Sequence, residues 1–433
     1  MIYWFILAII TQVTITSCDP SKKKEEATSP PTIHQKVSKL PEPLRLRVVV
    51  PYGGNMPGFM NFAAGPGAPQ TEFQHRIGTL LTAVGKGPTT LAARTFVTTD
   101  ANGNLVVLGY EQLAALVDGT KPRQYIHGLM IPRLLDDALA ACDQDTSVVT
   151  VLVTDMVHNA GDLKTLSSLP GDVSAALKGK RGAAAFSLYA EPSRFVGDYY
   201  PAIERRPHKV NNTFIPYYIW LIGTPKQISR VARAYLPNPP AQQVHVGLTY
   251  PGLTVGALLE FLPPASPLEP GGEKSGGSAW PDQEKVAVTK VEEGVEFSIG
   301  LDLHQLPSAW KNFAFLNANL RVRVPGGTVA LLPKSVRWLT PAEHAASPAL
   351  KPYTHTARVR LTKLAPNTSA LTLSLPAPEL PTWPDLWTTA IDQPPGLSTY
   401  RLKQVLEGAR QAHGGDALPA VFSVSISLVN QED

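Results

Sequence analysis

Cysteine is nearly missing from this chain. Its 433 residues hold two, Cys18 and Cys142, too few for a disulfide framework or a cysteine-based zinc site. An excess of one charge is missing too. The 39 basic and 35 acidic residues leave a net +4, spread along the chain, which gives no basis for nucleic-acid binding. Neither a G-x-y period nor sustained heptads occur, so collagen and coiled coil are excluded. Nor is there a Walker loop, a G-x-S-x-G elbow, an H-E-x-x-H helix or a Rossmann fingerprint. What is present is apolar material. At 43% hydrophobic residues the chain can build cores, which excludes wholesale disorder. Its length fits two or three domains.

Residues 1–10, MIYWFILAII, form an uninterrupted apolar run. It is too short to span a bilayer, which takes about 20 residues, and it suits the apolar region of a secretory signal. Behind it, Ile15-Thr16-Ser17-Cys18 resembles a bacterial lipobox, although no Lys or Arg precedes the run. The resemblance implies that residues 1–17 are a lipoprotein signal peptide and that Cys18 carries covalent lipid. Several acyl chains would then anchor the protein firmly to a membrane of the bacterial cell envelope. It does not say whether that membrane is inner or outer. Asp19 occupies a position that influences this choice in some bacteria. The competing reading of the run is an uncleaved anchor or a buried segment. Residues 18–43 read as a flexible tether, with several prolines and charge blocks. Lys22-Lys23-Lys24 within it either touch anionic headgroups or are simply solvated beside Glu25 and Glu26.

From Leu44 the texture is that of a folded domain, expected over 44–240. LRLRVVV ends as a strand buried on both faces. Phe73, Ile77, Leu80, Leu81 and Val84 recur at helical spacing. LAARTFVTT reads as a strand, followed by a turn at Asp100–Gly103. YEQLAALVDG and PRLLDDALAAC read as helices, the latter with Pro132 in its first turn. SVVTVLVTD is the strongest strand and ends in Asp155. RGAAAFSLYA and FIPYYIWLIG add strands. A helix follows with Ile228, Val231, Ala232 and Tyr235 on one face and Thr224 as cap. This alternation predicts a doubly wound parallel sheet of α/β class.

Two stretches make that sheet resemble a von Willebrand factor A (vWA) domain. The family's first strand ends in D-x-S-x-S, in bacterial members often D-x-S-G-S-M-x-G-[FY], and an Asp follows the fourth strand. Here the loop is Pro51-Tyr52-Gly53-Gly54-Asn55-Met56-Pro57-Gly58-Phe59. Gly54, Met56, Gly58 and Phe59 match the pattern, and Asp155 takes the acidic position. The resemblance therefore implies a degenerate adhesion site. Pro51, Gly53 and Asn55 replace the Asp and two Ser that bind a divalent cation. A hard cation wants charged oxygens. Asn55 and Asp155, with a Thr such as Thr120, are a poor set, so no metal or other cofactor is expected. Partner contact would fall to side chains on the rim, with Tyr52, Met56, Phe59 and Arg194 as candidate interface residues.

Other candidates compete with structural readings. Asp155 and His158 could form an acid/base pair, or Asp155 could bond its own loop while His158 faces solvent. Asp136 and Asp137 diverge by about 100° on a helix and cannot clamp one ligand. Cys142 reads as a small core residue. The segment Ser193–Tyr200, rich in aromatics with one Arg, reads as a loop that either anchors a partner or packs on its own sheet.

Residues 241–433 carry short strands between Pro- and Gly-rich turns, as in a mostly antiparallel β-sandwich. NFAFLNANLRVRV is among the strand candidates, and 263–282 reads as a long mobile loop. One helix stands out, with Leu402, Val405, Leu406 and Ala409 on one face and Gly414-Gly415 ending it. Trp280, Trp310, Trp338, Trp383 and Trp387 all fall in this half. The function expected from these features is that of a membrane-anchored, non-catalytic binding or scaffold component, with other envelope proteins as partners and no nucleic acid. The alternatives are an envelope hydrolase using Asp155 and His158, and a carbohydrate-binding lipoprotein using exposed coplanar tryptophans.

Overall fold

A strand with no polar face, SVVTVLVT, lies at the centre of the larger sheet, because only there are both its faces covered. The computed structural model describes residues 43–430 except 61–68, 88–90, 122–123, 126, 160–162, 180–183, 205, 259–267, 271–284, 289–290, 367 and 393–395. The signal peptide, Cys18 and the tether lie outside the described residues. So do Trp280 and, apart from Leu268–Pro270, the loop expected at 263–282.

The first half supplies β1 (Leu44–Val49), α1 (Met56–Phe59), α2 (Glu72–Lys86), β2 (Leu91–Thr99), β3 (Leu105–Leu108), α3 (Tyr110–Val117) and α4 (Ile131–Gln144). β4 (Val148–Thr154), α5 (Leu163–Ser167), α6 (Leu169–Lys178), β5 (Ala185–Tyr199), β6 (His208–Gly223), α7 (Pro225–Tyr235) and β7 (Gln243–Val246) follow. The seven strands form one mixed sheet in the order β3-β2-β1-β4-β6-β5-β7. The helix faces read from the sequence are the buried ones: Phe73, Ile77, Leu80, Leu81 and Val84 of α2 are all buried. Thr71 caps α2 through a reciprocal pair, its hydroxyl accepting from Gln74 N and its own N–H donating to Gln74 Oε1 at 2.8 Å. Asp100 holds the expected turn by accepting from the N–H groups of Asn102 and Asn104.

The all-parallel expectation does not hold. β1 runs parallel to β2 and β4, while β3, β6, β5 and β7 pair antiparallel to their neighbours. The reason is connection length. β5 continues through the segment read as a loop, Ser193–Tyr199, and only residues 200–207 separate it from β6. A connection that short closes a hairpin; a parallel crossover needs about a dozen residues or more. Arg194 and its aromatic neighbours are thus strand residues paired with Phe214 and Thr213. β3, which no sequence signal picked out, is the return strand of the Asp100 turn.

The second half supplies β8 (Val255–Leu258), β9 (Leu268–Pro270), β10 (Lys285–Val288), β11 (Val295–Leu301), α8 (Ser308–Lys311) and α9 (Phe313–Asn319). Next come β12 (Arg321–Arg323), β13 (Thr328–Leu331), β14 (Arg337–Trp338), α10 (Pro341–Ala346), β15 (His355–Lys363) and β16 (Thr368–Leu375). α11 (Trp383–Trp387), β17 (Thr388–Thr389), β18 (Thr399–Tyr400), α12 (Leu402–Gln411) and β19 (Phe422–Asn430) complete the chain. Two five-stranded sheets result, β12-β16-β19-β10-β9 and β13-β15-β11-β8 with β14 also paired to β15, antiparallel except for β10 on β19. NFAFLNANL is helical and not a strand: Asn312 caps α9 by accepting from Ala314 N at 2.8 Å.

The boundary expected at 240 is crossed by the first sheet itself, since β7 pairs with β5. From Pro43 onward the chain is one compact unit; its main apolar core runs from Leu44 to Leu428, beside a small second cluster of Leu258, Leu339, Leu350 and Tyr353. α12 packs on α6, with Gly408 against the backbone of Pro170. Arg401 donates to the Leu166 carbonyl, and Trp383 to that of Gln243.

Candidate functional site

The carboxyl ends of β1 and β4 lie side by side, because those strands are parallel neighbours. The Pro51–Phe59 loop and Asp155 extend directly from them. This is where ligands collect in open α/β sheets.

The loop is folded inward. Tyr52, Met56 and Phe59, expected as exposed interface residues, are 1%, 0% and 0% exposed. Tyr52 exchanges hydrogen bonds with Thr99, whose hydroxyl accepts from Tyr52 N and donates to Tyr52 O. Phe59 meets the Phe195 ring edge-on at 5.2 Å and also packs on Phe73 and Tyr217. Three aromatic rings around Phe59 outweigh any gain from leaving it in water. Gly58 is required by the same packing: a Cβ there would overlap the Phe195 ring. Arg194 is partly exposed but engaged. Its Nε pairs with Glu72 Oε1 at 3.0 Å, its backbone N–H donates to Glu72 Oε2, and its Nη2 donates to Gln70 O. It staples β5 to the start of α2, so it is a poor candidate for a free anchor.

Of the four degenerate metal-loop positions, Pro51 offers no side-chain oxygen, and Gly53 and Asn55 bond their oxygens within the chain. The Gly53 carbonyl accepts from Met56 N. Asn55 is fully buried and bonds both ways to Tyr200, accepting from its N–H at 2.6 Å and donating to its carbonyl at 3.3 Å. Thr120 donates its hydroxyl to the Ala115 carbonyl at the end of its own helix.

Asp155 is the exception. Its Oδ1 accepts from Val157 N at 3.2 Å and from the Thr154 hydroxyl. Its Oδ2 is buried with no hydrogen-bond partner among the described residues. Burial pushes the carboxyl up to about 6, against the pull of the Val157 N–H and the nearby N–H groups of Asn55. The next residue, Met156, has φ +61, uncommon for a side chain of that size. Trp220 donates to its sulfur at 3.1 Å. Among the described residues no group of three or more His, Cys, Asp or Glu is arranged to hold a metal ion.

His158 does not face solvent. It is buried, and its Nδ1 accepts from Ile131 N at 3.3 Å, serving the first turn of α4. Burial lowers its pKa, which favours the neutral ring that can accept. Cys142 is a buried thiol against the carbonyls of Ala138 and Ile222, as its sequence setting implied. Asp136 is exposed on α4, and the Asp137 carbonyl accepts from Arg47.

What covers the strand ends was invisible in the sequence. The turn after β5, residues 200–204, is held from three directions. Asn55 takes Tyr200, Asn159 donates to the Pro201 carbonyl at 3.0 Å, and Asp392 accepts from the N–H groups of Ala202, Ile203 and Glu204. Tyr200 stacks on His127 at 4.8 Å. Asp392 comes from the far end of the chain, about 190 residues away, so no local pattern could have found it.

The chain matches no family model, no curated protein and no solved structure.

Proposed function

We propose that the protein is a non-catalytic binding component of a bacterial envelope assembly, held to a membrane by lipid on Cys18, and that its first strands are a vWA-like module that has given up its cation. Support for the vWA-like part comes from the order β3-β2-β1-β4, in which the antiparallel edge strand β3 follows β2. The loop after β1 and the Asp after β4 are brought together as that reading requires. The observation that carries the loss of cation chemistry is the Asn55–Tyr200 bridge. The position that would bind metal instead binds the chain's own backbone, and the turn it holds fills the strand ends.

The hydrolase alternative loses support on the same geometry, because His158 serves the α4 backbone and the Asp155 oxygen that is bonded serves its own loop. For the carbohydrate alternative, Trp310 is buried and Trp383 meets Trp387 at 77°, edge-on and not coplanar. With the rim folded inward, partner contact passes to apolar side chains that remain outside. Leu386, Ile391 and Leu397 are 79%, 60% and 52% exposed and flank the two-stranded sheet of β17 and β18. Three strongly exposed apolar side chains within one short stretch of sequence make that stretch the candidate interaction surface.

Cross-linking of the protein in its own membrane, followed by mass spectrometry, tests this reading. Cross-links from the 385–400 region to another envelope protein, lost in a Leu386→Ser/Ile391→Ser variant that still melts normally, are the expected result. Cross-links confined to the Pro51–Phe59 side would place the interface back on the rim. Turnover of an ester or glycoside substrate that is lost in Asp155→Asn would refute the non-catalytic reading.

A further inference from the structure

Away from the rim, a cleft of about 300 Å³ opens between α7 and the segment His304–Lys311. That volume is at the lower end for small-molecule sites. Its apolar wall is Ile228, Leu236, Leu248 and Leu306, buried residues from both halves of the chain. Its polar side is unbalanced. Arg233 from α7 and Lys311 from α8 both line the cleft, and no carboxylate does. Neither cation forms an ion pair among the described residues, and the carboxylate nearest in sequence, Asp302, is taken by His304 at 2.7 Å. Ser308 and Tyr189 also line the cleft. Burial and the neighbouring Arg233 both lower the Lys311 pKa, the mark of an ammonium that lacks a counter-charge.

Two like charges brought to one half-apolar cleft repel each other unless an anion sits between them. A headgroup with two or more oxygens could accept from the guanidinium and the ammonium at once, by charge-assisted bonds stronger than neutral ones. We propose that this cleft is a binding site for a small amphipathic anion, a carboxylate or phosphate headgroup on a short apolar body. The inference does not depend on the envelope reading, since none of its residues belongs to the anchor, to the Pro51–Phe59 loop or to the segment after Asp155.

Calorimetric titration of the full chain with hexanoate, hexyl phosphate and neutral hexanol tests it. At least one of the two anions should bind, more tightly than hexanol. Arg233→Gln and Lys311→Met should each weaken it about tenfold, leaving hexanol unchanged. Tighter binding of hexyl phosphate than hexanoate would identify a phosphate site, and the reverse order a carboxylate site. Lys311→Met should melt no lower than the wild type, since it removes an uncompensated charge and keeps the apolar stem. Should it fail to fold, the exposed Arg233→Gln variant carries the test alone. Failure of both anions to bind, or equal affinity in wild type and Arg233→Gln, would overturn the proposal.

Discussion

Replacing Asp155 by Asn should change how stability depends on pH. In the folded chain the Asp155 carboxyl is pushed from 3.8 up to about 6; in the unfolded chain it returns to its ordinary value. Between about pH 4 and pH 6 the folded state therefore holds a proton that the unfolded state gives up. Stability falls as pH rises through that window and is lowest above it. The shift of about two units, at roughly 1.4 kcal/mol each, sets a cost near 3 kcal/mol at neutral pH. Asn resembles the neutral acid in shape. Its oxygen can still accept from Val157 N, and its amide faces the same partnerless side as a carboxyl O–H. At about 2.1 cal/mol/K per residue over about 390 residues, the unfolding entropy is near 0.8 kcal/mol/K, so 3 kcal/mol corresponds to roughly 4 °C. Calorimetric scans at pH 5 and pH 8 should show the variant melting up to about 4 °C above the wild type at pH 8 and only about 2 °C above it at pH 5, the difference vanishing below about pH 4. The same offset at both pH values would show that Asp155 does not titrate in this window, and the reasoning from burial would fail.

Gly58→Ala should destabilise by about 1–3 kcal/mol, as overpacking does, because the new methyl meets the Phe195 ring; a melting temperature equal to wild type would show that this ring can move aside. Asp392→Ala strips three backbone N–H groups of their acceptor and should cost about 1–3 kcal/mol, with faster protease cleavage at 200–204 as the local readout. Cys18→Ser should release the protein from the membrane or leave an uncleaved precursor, measured by fractionation and by palmitate labelling of the wild type. Millimolar Mg²⁺ should leave the melting temperature unchanged; a shift of several degrees that Asp155→Ala abolishes would show a surviving cation site.

The elements that could be read from the sequence were those in which local pattern and final environment agree. β4 is apolar throughout and lies buried, and the 3.6-residue period of α2 and α12 coincides with their buried faces. Reading failed where a distant partner decided the outcome. Ser193–Tyr199 looked like a loop because Pro192, Gly197 and charged residues interrupt it, yet pairing with β6 makes it strand. NFAFLNANL alternates well enough for a strand, but Asn312 starts a helix there. At the site, the loop positions and Asp155 were legible, since each is fixed by the end of a strand. Whether Tyr52, Met56 and Phe59 point in or out depends on Phe195, Tyr125 and Tyr217, which lie from about 70 to 160 residues away. Aromatic side chains beside glycines carry no label for either orientation.

Synthesis order gives the Asp392 clasp a further consequence. When residues 44–240 have left the ribosome, the last strand of their sheet and the acceptor for the 200–204 turn do not yet exist. Contacts of such long sequence separation form late, because the chain loses loop entropy before they repay it. An Asn55–Tyr200 bridge formed early would hold its turn without the Asp392 carboxylate, and β5 would present an open edge until Gln243–Val246 arrives. A chain cut anywhere between 246 and 392 would complete the sheet and still lack the clasp. Such a fragment should have its sheet edge covered yet keep the 200–204 turn loose, whereas the full chain fixes that turn only when its C-terminal residues are present.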